Sequence, residues 1–199
     1  MSHRSQSSRS DTRALVLSNA IALFAASGYT GVSMRDIANS LKISASALYH
    51  HFPDKQALYL AAVSHAFSGK DDAFLAALNS EGAAEVRLRR FITQFCQLIQ
   101  NDHDFDRLMH RELLDGDEQR MKLLADHVFK ELFIAVCQLV EELSPDLDPH
   151  LAAVSIIGLV IYHLECRPLR QFLPAAKAEH DDPDRITEHL MQLLTKGLR

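Results

Sequence analysis

The segment 44–52, SASALYHHF, places four small side chains and a leucine before a tyrosine, two histidines and a phenylalanine. Small side chains contribute little to a hydrophobic core, but they allow a helix backbone to approach another surface closely. Serine hydroxyls can donate to or accept from base edges, and an alanine methyl can contact a thymine methyl. We therefore interpret Ser44, Ala45, Ser46 and Ala47 as a surface that could enter a DNA major groove.

Polar and cationic residues around this segment could bind phosphate groups. Tyr49 and His50 follow the small residues, at the point where a helix would leave the groove. Lys55 would lie in the first turn of the next helix, and Ser33 and Arg35 at the start of the preceding one. Backbone N–H groups at helix N-termini already favour anions. The pattern is typical of a DNA-contact surface, although a generic helical hairpin with Tyr49 and His50 covering its core would explain the same residues.

Helical periodicity and capping residues place this surface in a helix-turn-helix. Apolar residues recur at three- and four-residue steps between Asp11 and Gly28, which predicts a first helix with Asp11 as its N-cap. Ser33 and Ser44 are predicted to cap two short helices, with a tight turn at residues 42–43 between them. Asp54 is predicted to cap the longer helix that follows, and Leu48 and Phe52, at i and i+4, are predicted to face inward. Two short helices joined by a tight turn and supported by a longer helix form a helix-turn-helix.

The remaining segments show only helical periodicity, so we predict an all-α protein.

Residues 1–60 contain six Lys/Arg and three Asp/Glu, whereas the other residues contain 15 and 23, within a net charge of −5. This asymmetry is typical of a polyanion-binding part followed by an acidic body. We predict a disordered arm over 1–10, a DNA-binding domain over 11–60 and a separate helical body over 61–199. Three scattered cysteines, no signal peptide and no run long enough to span a bilayer predict a cytoplasmic protein without a membrane partner.

The segment FAASGYTGVSMRDIANSLKISASALYHHFPDKQALY resembles the N-terminal DNA-binding domain of the TetR family of bacterial transcriptional regulators. The order and spacing agree over residues 12–60. The residues that carry the resemblance are Phe24, Gly28, Ser33, Ile37, Ala38, Leu48, Tyr49, His50, His51, Phe52, Lys55 and Leu58. The resemblance implies a homodimer whose two recognition helices bind a palindromic operator in double-stranded DNA.

The same resemblance assigns individual DNA contacts. The implied contact residues are Ser33, Arg35, Ser44, Ala45, Ser46, Tyr49, His50 and Lys55. Lys42 departs from the family pattern, in which glycine is common in the turn. A lysine at positive φ costs roughly 1 kcal/mol, and its ammonium could add a phosphate contact, so Lys42 joins the predicted DNA-binding residues.

For the body of the protein, residues 61–199, the resemblance implies an effector-binding and dimerisation domain. It places the dimer interface on the last two long helices and the effector pocket among the middle helices. The predicted interface residues are Leu151, Val154, Ile157, Gly158, Ile161, Ile186, Leu190, Leu193 and Leu194. The predicted pocket residues are Phe95, Cys96, Ile99, Met109, Leu113, Phe129, Phe133, Cys137 and His163. Their apolar character favours an apolar or aromatic effector, although ordinary core packing would explain both sets.

A second cluster of polar residues, NDHDFDRLMHRELLDGDE at 101–118, could bind a metal. Asp106 and His110 have the i, i+4 spacing of two ligands on one helix face, and His103-Asp104 resembles the His-Asp pair of metal-dependent phosphohydrolases. That enzyme class needs further ligands, and an acidic loop that caps a helix also explains these residues. We therefore predict no bound metal, no cofactor and no enzymatic activity.

The leading hypothesis is a TetR-like repressor that a small-molecule effector releases from DNA. A metal-dependent hydrolase or metal-sensing regulator that uses the cluster at 103–112 is the alternative. A third possibility is a regulator that has no ligand and acts through a partner protein.

Overall fold

The computed structural model describes residues 3–68 and 70–197, with side chains for residues 12–68 and 70–196. The described residues contain helices, turns and loops but no strand, which confirms the all-α prediction. The α-helices are α1 (His3–Ser27), α2 (Met34–Ser40), α3 (Ala45–His51), α4 (Lys55–Phe67), α5 (Lys70–Leu78), α6 (Ala84–Asn101), α7 (His103–Asp115), α8 (Glu118–Leu124), α9 (Lys130–Leu143), α10 (Pro149–Glu165), α11 (Arg167–Arg170) and α12 (Pro183–Gly197). A π-helical segment (Ala125–Phe129) joins α8 to α9, and a 3₁₀ turn (Ala178–Asp181) precedes α12.

The helices form two compact units, and each unit combines two separate stretches of the sequence. The first unit contains α1–α4 together with α7, α8 and the π-helical segment. The second unit contains α5, α6 and α9–α12. Part of the segment that we predicted to be the effector domain, residues 103–129, therefore packs with the N-terminal helices.

Capping residues fix the boundaries of the short helices in the first unit. Ser33, Ser44 and Asp54 each accept a hydrogen bond from the backbone N–H three residues later, which confirms all three predicted N-caps. Leu48 of α3 and Phe52, which directly follows α3, are buried in the core, as their i, i+4 spacing predicts. These anchors determine which side of α3 is left facing solvent.

The first helix begins earlier than the sequence analysis predicts. It extends from His3, so Asp11 is not its N-cap and most of the segment predicted as a disordered arm is helical. Residues 1–27 contain neither glycine nor proline, so no residue with the usual helix-breaking backbone stops the helix before Asp11. Residues 1 and 2 of the predicted arm lie outside the described residues.

The second unit contains an aromatic cluster between α5 and α6, and a long helix, α10, with one buried side. The rings of Phe74, Phe91 and Phe95 lie with centroids 5.6–5.8 Å apart, which links α5 to α6. One side of α10, including Ile156 and Val160, is buried, while other apolar side chains of the same helix face solvent. No helix in the described part of the chain has an apolar stretch long enough to cross a bilayer.

Candidate nucleic-acid interface

Helix α3 exposes the polar and small residues that the sequence analysis assigned to DNA. Ser44 caps the helix, its Oγ accepting from the Ala47 backbone N–H at 3.1 Å. Ser46 and His50 are exposed, and Tyr49 retains 50% of its accessible surface. Ala45 is half-buried and packs against the core, so it can bring the backbone close to a groove but offers less side-chain surface than Ser46. This arrangement gives α3 a face of small residues bordered by two polar rings.

The turn before α3 has the unusual geometry that its sequence predicts. Lys42 adopts a φ of 57° in the left-handed region, where a non-glycine residue is uncommon. Two backbone hydrogen bonds close the turn: Lys42 N–H donates to the Asn39 carbonyl and Ile43 N–H to the Ala38 carbonyl, each at 3.0 Å. The Lys42 side chain is exposed, so it can reach a phosphate next to α3.

Ser33 is occupied by its capping role. Its backbone N–H and its hydroxyl both donate to Asp36 Oδ2, at 2.8 and 2.6 Å. The hydrogen bond from the Ser33 side chain lowers the pKa of Asp36. Ser33 therefore has no donor left for a phosphate while this capping box is formed, whereas the neighbouring Arg35 is exposed and can serve that purpose.

The Lys55 ammonium group makes most of its contacts within the protein, which favours a structural role over phosphate binding. Its Nζ donates to the carbonyls of Tyr29 and Val32, at 2.8 and 2.9 Å, and lies 4.2 Å from the centroid of the Tyr29 ring. Burial, followed by the nearby charge of Arg120, lowers the pKa of Lys55. Lys55 thus ties the loop between α1 and α2 to the start of α4 and leaves one ammonium N–H for another acceptor.

A buried polar network supports this loop from within the first unit. Glu112, only 1% exposed, accepts from Arg120 Nε at 2.9 Å and from the Tyr59 hydroxyl at 2.7 Å. The Arg120 guanidinium carbon also lies 4.2 Å from the centroid of the Tyr29 ring. Burial, followed by the hydrogen bond to Glu112, raises the pKa of Tyr59. The network therefore joins α7, α8 and α4 to the same loop that Lys55 holds.

This network is not predicted from the sequence, although the sequence contains one signal of it. Glu112 follows Phe105 and Leu108 at seven- and four-residue steps, so it occupies a core-facing position of α7. A carboxylate at such a position requires a buried partner. Nothing in the spacing identifies Arg120 as that partner, because it lies on the next helix.

The residues of the alternative metal cluster at 103–112 do not assemble into a metal-binding group. No group of three or more His, Cys, Asp or Glu side chains among the described residues is arranged to hold a metal ion. His103 and His110 are exposed, while Glu112 from the same segment is paired with Arg120. The hydrolase and metal-sensor alternatives are therefore unsupported.

The predicted effector residues are divided between the two units. Met109, Leu113 and Phe129 belong to the first unit, and the second contains Phe95, Cys96, Ile99, Phe133, Cys137 and His163. Cys96 is fully buried, and burial raises the pKa of its thiol to about 11, as expected for a core residue. A cavity of about 410 Å³ in the second unit includes His163 but none of the other predicted pocket residues.

The predicted dimer-interface residues differ in solvent exposure between α10 and α12. On α10, Leu151 and Val154 retain 64% and 50% of their accessible surface, Ile157 and Ile161 are half-buried, and Gly158 faces open space. On α12, Leu193 is exposed. The other predicted α12 residues, Ile186, Leu190 and Leu194, are buried. These three pack inside their own unit because the apolar stripe of α12 lies against α6 and α10, so they do not offer surface to a partner.

Comparison with known proteins agrees with this geometry. The profile of the bacterial regulatory proteins of the tetR family matches residues 16–62. The profile of the C-terminal domain of the HTH-type transcriptional dual regulator CecR matches residues 84–198, more than half of the chain. The negative transcriptional regulator IcaR of the biofilm operon icaADBC from Staphylococcus aureus is 31% identical over 80 residues, covering 40% of this chain and 43% of IcaR. The chain thus spans less than half the length of the curated relatives it matches.

Solved structures share the fold over nearly the whole chain. The fatty acid degradation regulator FadR from Bacillus halodurans superposes with a TM-score of 0.74 at 18% identity, covering 92% of this chain and 98% of FadR. AibR, solved with isovaleryl coenzyme A and operator DNA, gives 0.69 at 20% identity, with coverages of 91% and 97%. With both profile matches, these comparisons show that the chain belongs to the TetR family of helix-turn-helix transcriptional regulators and carries a C-terminal domain of the CecR type.

Proposed function

We propose that this regulator acts as a homodimeric repressor that binds a palindromic operator and is released by a small-molecule effector. The exposed face of α3 carries the proposal. Ser46, Tyr49 and His50 face solvent while Leu48 and Phe52 hold the helix in the core. The N-terminal residues of a recognition helix contact base edges in the major groove, and flanking side chains contact phosphates.

The surface of α10 supports the dimer. Leu151, Val154 and Tyr162 retain 64, 50 and 69% of their accessible surface, an unusual exposure for apolar and aromatic side chains on one helix. A two-fold interface would bury the same patch on both subunits. The two copies of α3 would then enter successive major grooves, about 34–36 Å apart.

Similar proteins support both repression and effector control. IcaR is named as a negative regulator, and AibR was solved with both an acyl-coenzyme A and operator DNA. A ligand that prefers a conformation with differently spaced recognition helices would weaken operator binding through that preference. As a DNA-binding regulator, the proposed repressor would act in the cytoplasm, and we assign it no enzymatic role.

Selection of bound sequences from random duplex DNA tests the proposal, and we expect an inverted repeat. Tyr49→Ala should then weaken operator binding by at least tenfold, because the ring and its hydroxyl lie beside the groove-facing residues. Binding is measured by fluorescence anisotropy at two salt concentrations, and His65→Ala, which changes an exposed residue of α4, is the control.

Two results would contradict the proposal. The first is that duplex DNA of every sequence is ignored at low ionic strength. The second is that Tyr49→Ala loses dimerisation together with DNA binding, because Tyr49 would then support the fold instead of contacting the operator.

A further inference from the structure

A cavity in the second unit is lined mainly by basic and titratable side chains. It has a volume of about 410 Å³, within the range of roughly 300–1,000 Å³ typical of small-molecule sites. It lies between the C-terminal end of α10, the segment that follows it, and the first half of α12. His163, His180 and His189 contribute imidazoles, and Arg170 and Arg185 contribute guanidinium groups. This set of side chains differs from the apolar lining that the sequence predicts.

Two carboxylates near the cavity, Glu188 and Asp181, are already paired with arginines. Glu188, in the cavity lining, accepts from Arg89 at 2.7 Å and from Gln192 at 3.1 Å. Burial alone would raise the pKa of the Asp181 carboxyl group, but its ion pairs with Arg170 and Arg167 together lower that pKa below its ordinary value. These pairs leave an excess of positive and protonatable groups facing the cavity.

Arg185 is the cation best placed to meet a ligand. Its closest carboxylate, Glu179, is 4.0 Å away, at the outer limit of an ion pair. Arg170, in contrast, donates to Asp181 and to the His163 carbonyl, so its position is fixed. A planar guanidinium can bind a carboxylate or a phosphate through two parallel hydrogen bonds.

His163 is poised to take up a proton when an anion enters. It is half-buried, and its ring centroid lies 5.4 Å from that of His189. Burial lowers the pKa of His163, and His189 and Arg170 lower it further. A negative charge in the cavity would oppose all three effects, because it would stabilise the imidazolium directly.

We propose that this cavity binds the anionic end of a small organic molecule, a carboxylate or a phosphate, through Arg185, His163 and His189. The inference rests on the proposed function in one respect: this anion is the effector of the repressor. An amphipathic acid would suit the site, with its charge at the basic residues and its apolar part near Ile186, which is buried in the cavity wall.

Titration of the histidine ring signals by NMR tests the site directly. The probes are octanoate, inorganic phosphate and the uncharged control octanol. We expect the His163 signal to shift with octanoate or phosphate and its pKa to rise at saturation. We also expect octanoate, which stays ionised over this range, to bind about tenfold more tightly at pH 6 than at pH 8, because a protonated imidazole forms charge-assisted hydrogen bonds. A response to only one of the two anions would show whether the site binds a carboxylate or a phosphate.

Two variants and a control connect the signal to the named residues. Arg185→Gln and His163→Gln should each weaken binding of the responsive anion about tenfold. Arg185 is exposed, so its replacement should not disturb folding. His127→Gln, an exposed site in the first unit, should have no effect.

The outcome separates this inference from the proposed function. Unchanged His163 signals with both anions, or equal binding of octanol, would overturn the anion site. Operator binding is measured on the same samples without any probe. If the operator is bound normally and no anion binds, only the anion site fails. If no DNA is bound in the absence of anions, the repressor proposal fails independently.

Discussion

Replacing Glu112 with leucine should destabilise the first unit strongly. Glu112 is 1% exposed and Arg120 6% exposed, so their ion pair has almost no access to water. The substitution leaves the Arg120 charge and the Tyr59 hydroxyl without their shared acceptor. Breaking a buried ion pair from one side costs roughly 3–5 kcal/mol, because an uncompensated charge remains inside the protein.

Two other carboxylates next to Arg120 determine where in this range the loss of stability falls. Asp115 and Asp117 lie 3.3 Å from the Arg120 guanidinium and are partly exposed, so they can retain part of its charge compensation. We therefore expect the lower end, about 3 kcal/mol. For a protein of this size, that loss lowers the midpoint of thermal unfolding by roughly 6–12 °C. Circular dichroism during heating and urea unfolding measure the two quantities.

The double variant Glu112→Leu/Arg120→Met is the decisive control. Replacing both charges of a buried pair by apolar groups is often close to neutral, so the double variant should recover most of the lost stability. A single variant that costs less than about 1 kcal/mol, or a double variant as unstable as the single, would refute the assignment of a buried ion pair at this site.

Two further predictions concern the dimer and the turn. Leu151→Glu/Val154→Glu should convert the protein to monomers in analytical ultracentrifugation, since it places like charges in a self-complementary patch; a dimer that persists would move the interface away from this face of α10. Lys42→Gly should stabilise the protein by up to about 1 kcal/mol, because glycine tolerates the observed positive φ. The same change should weaken operator binding and reduce its salt dependence; unchanged salt dependence would exclude a Lys42 phosphate contact.

Local signals in the sequence were sufficient to predict the helix-turn-helix. Ser33, Ser44 and Asp54 are confirmed as N-caps, and the i, i+4 pair Leu48 and Phe52 lies in the core. Each of these features depends on residues within one turn of a helix. Such features survive in the folded structure because few tertiary contacts compete with them.

Features that depend on partners distant in sequence were not predictable in the same way. The stripe of Ile186, Leu190 and Leu194 is apolar whether its partner is the same unit or a second subunit, and periodicity cannot distinguish the two. From the sequence, Lys55 is predicted to bind a phosphate. In the fold, its ammonium group donates hydrogen bonds to the carbonyls of Tyr29 and Val32, which are more than 20 residues away in sequence. Charge and polarity reveal that a group needs a partner but not which partner it has.

The central claim is that the exposed face of α3 enters the major groove of an operator in both subunits. Ser46→Cys, labelled with a DNA-cleaving reagent, tests it most directly, with labelled Ser64→Cys on α4 and unlabelled wild type as controls. We predict two symmetric clusters of cleavage on the selected operator, about 34–36 Å apart along the duplex. Cleavage no stronger than that from position 64, or scattered without two-fold symmetry, would contradict the claim.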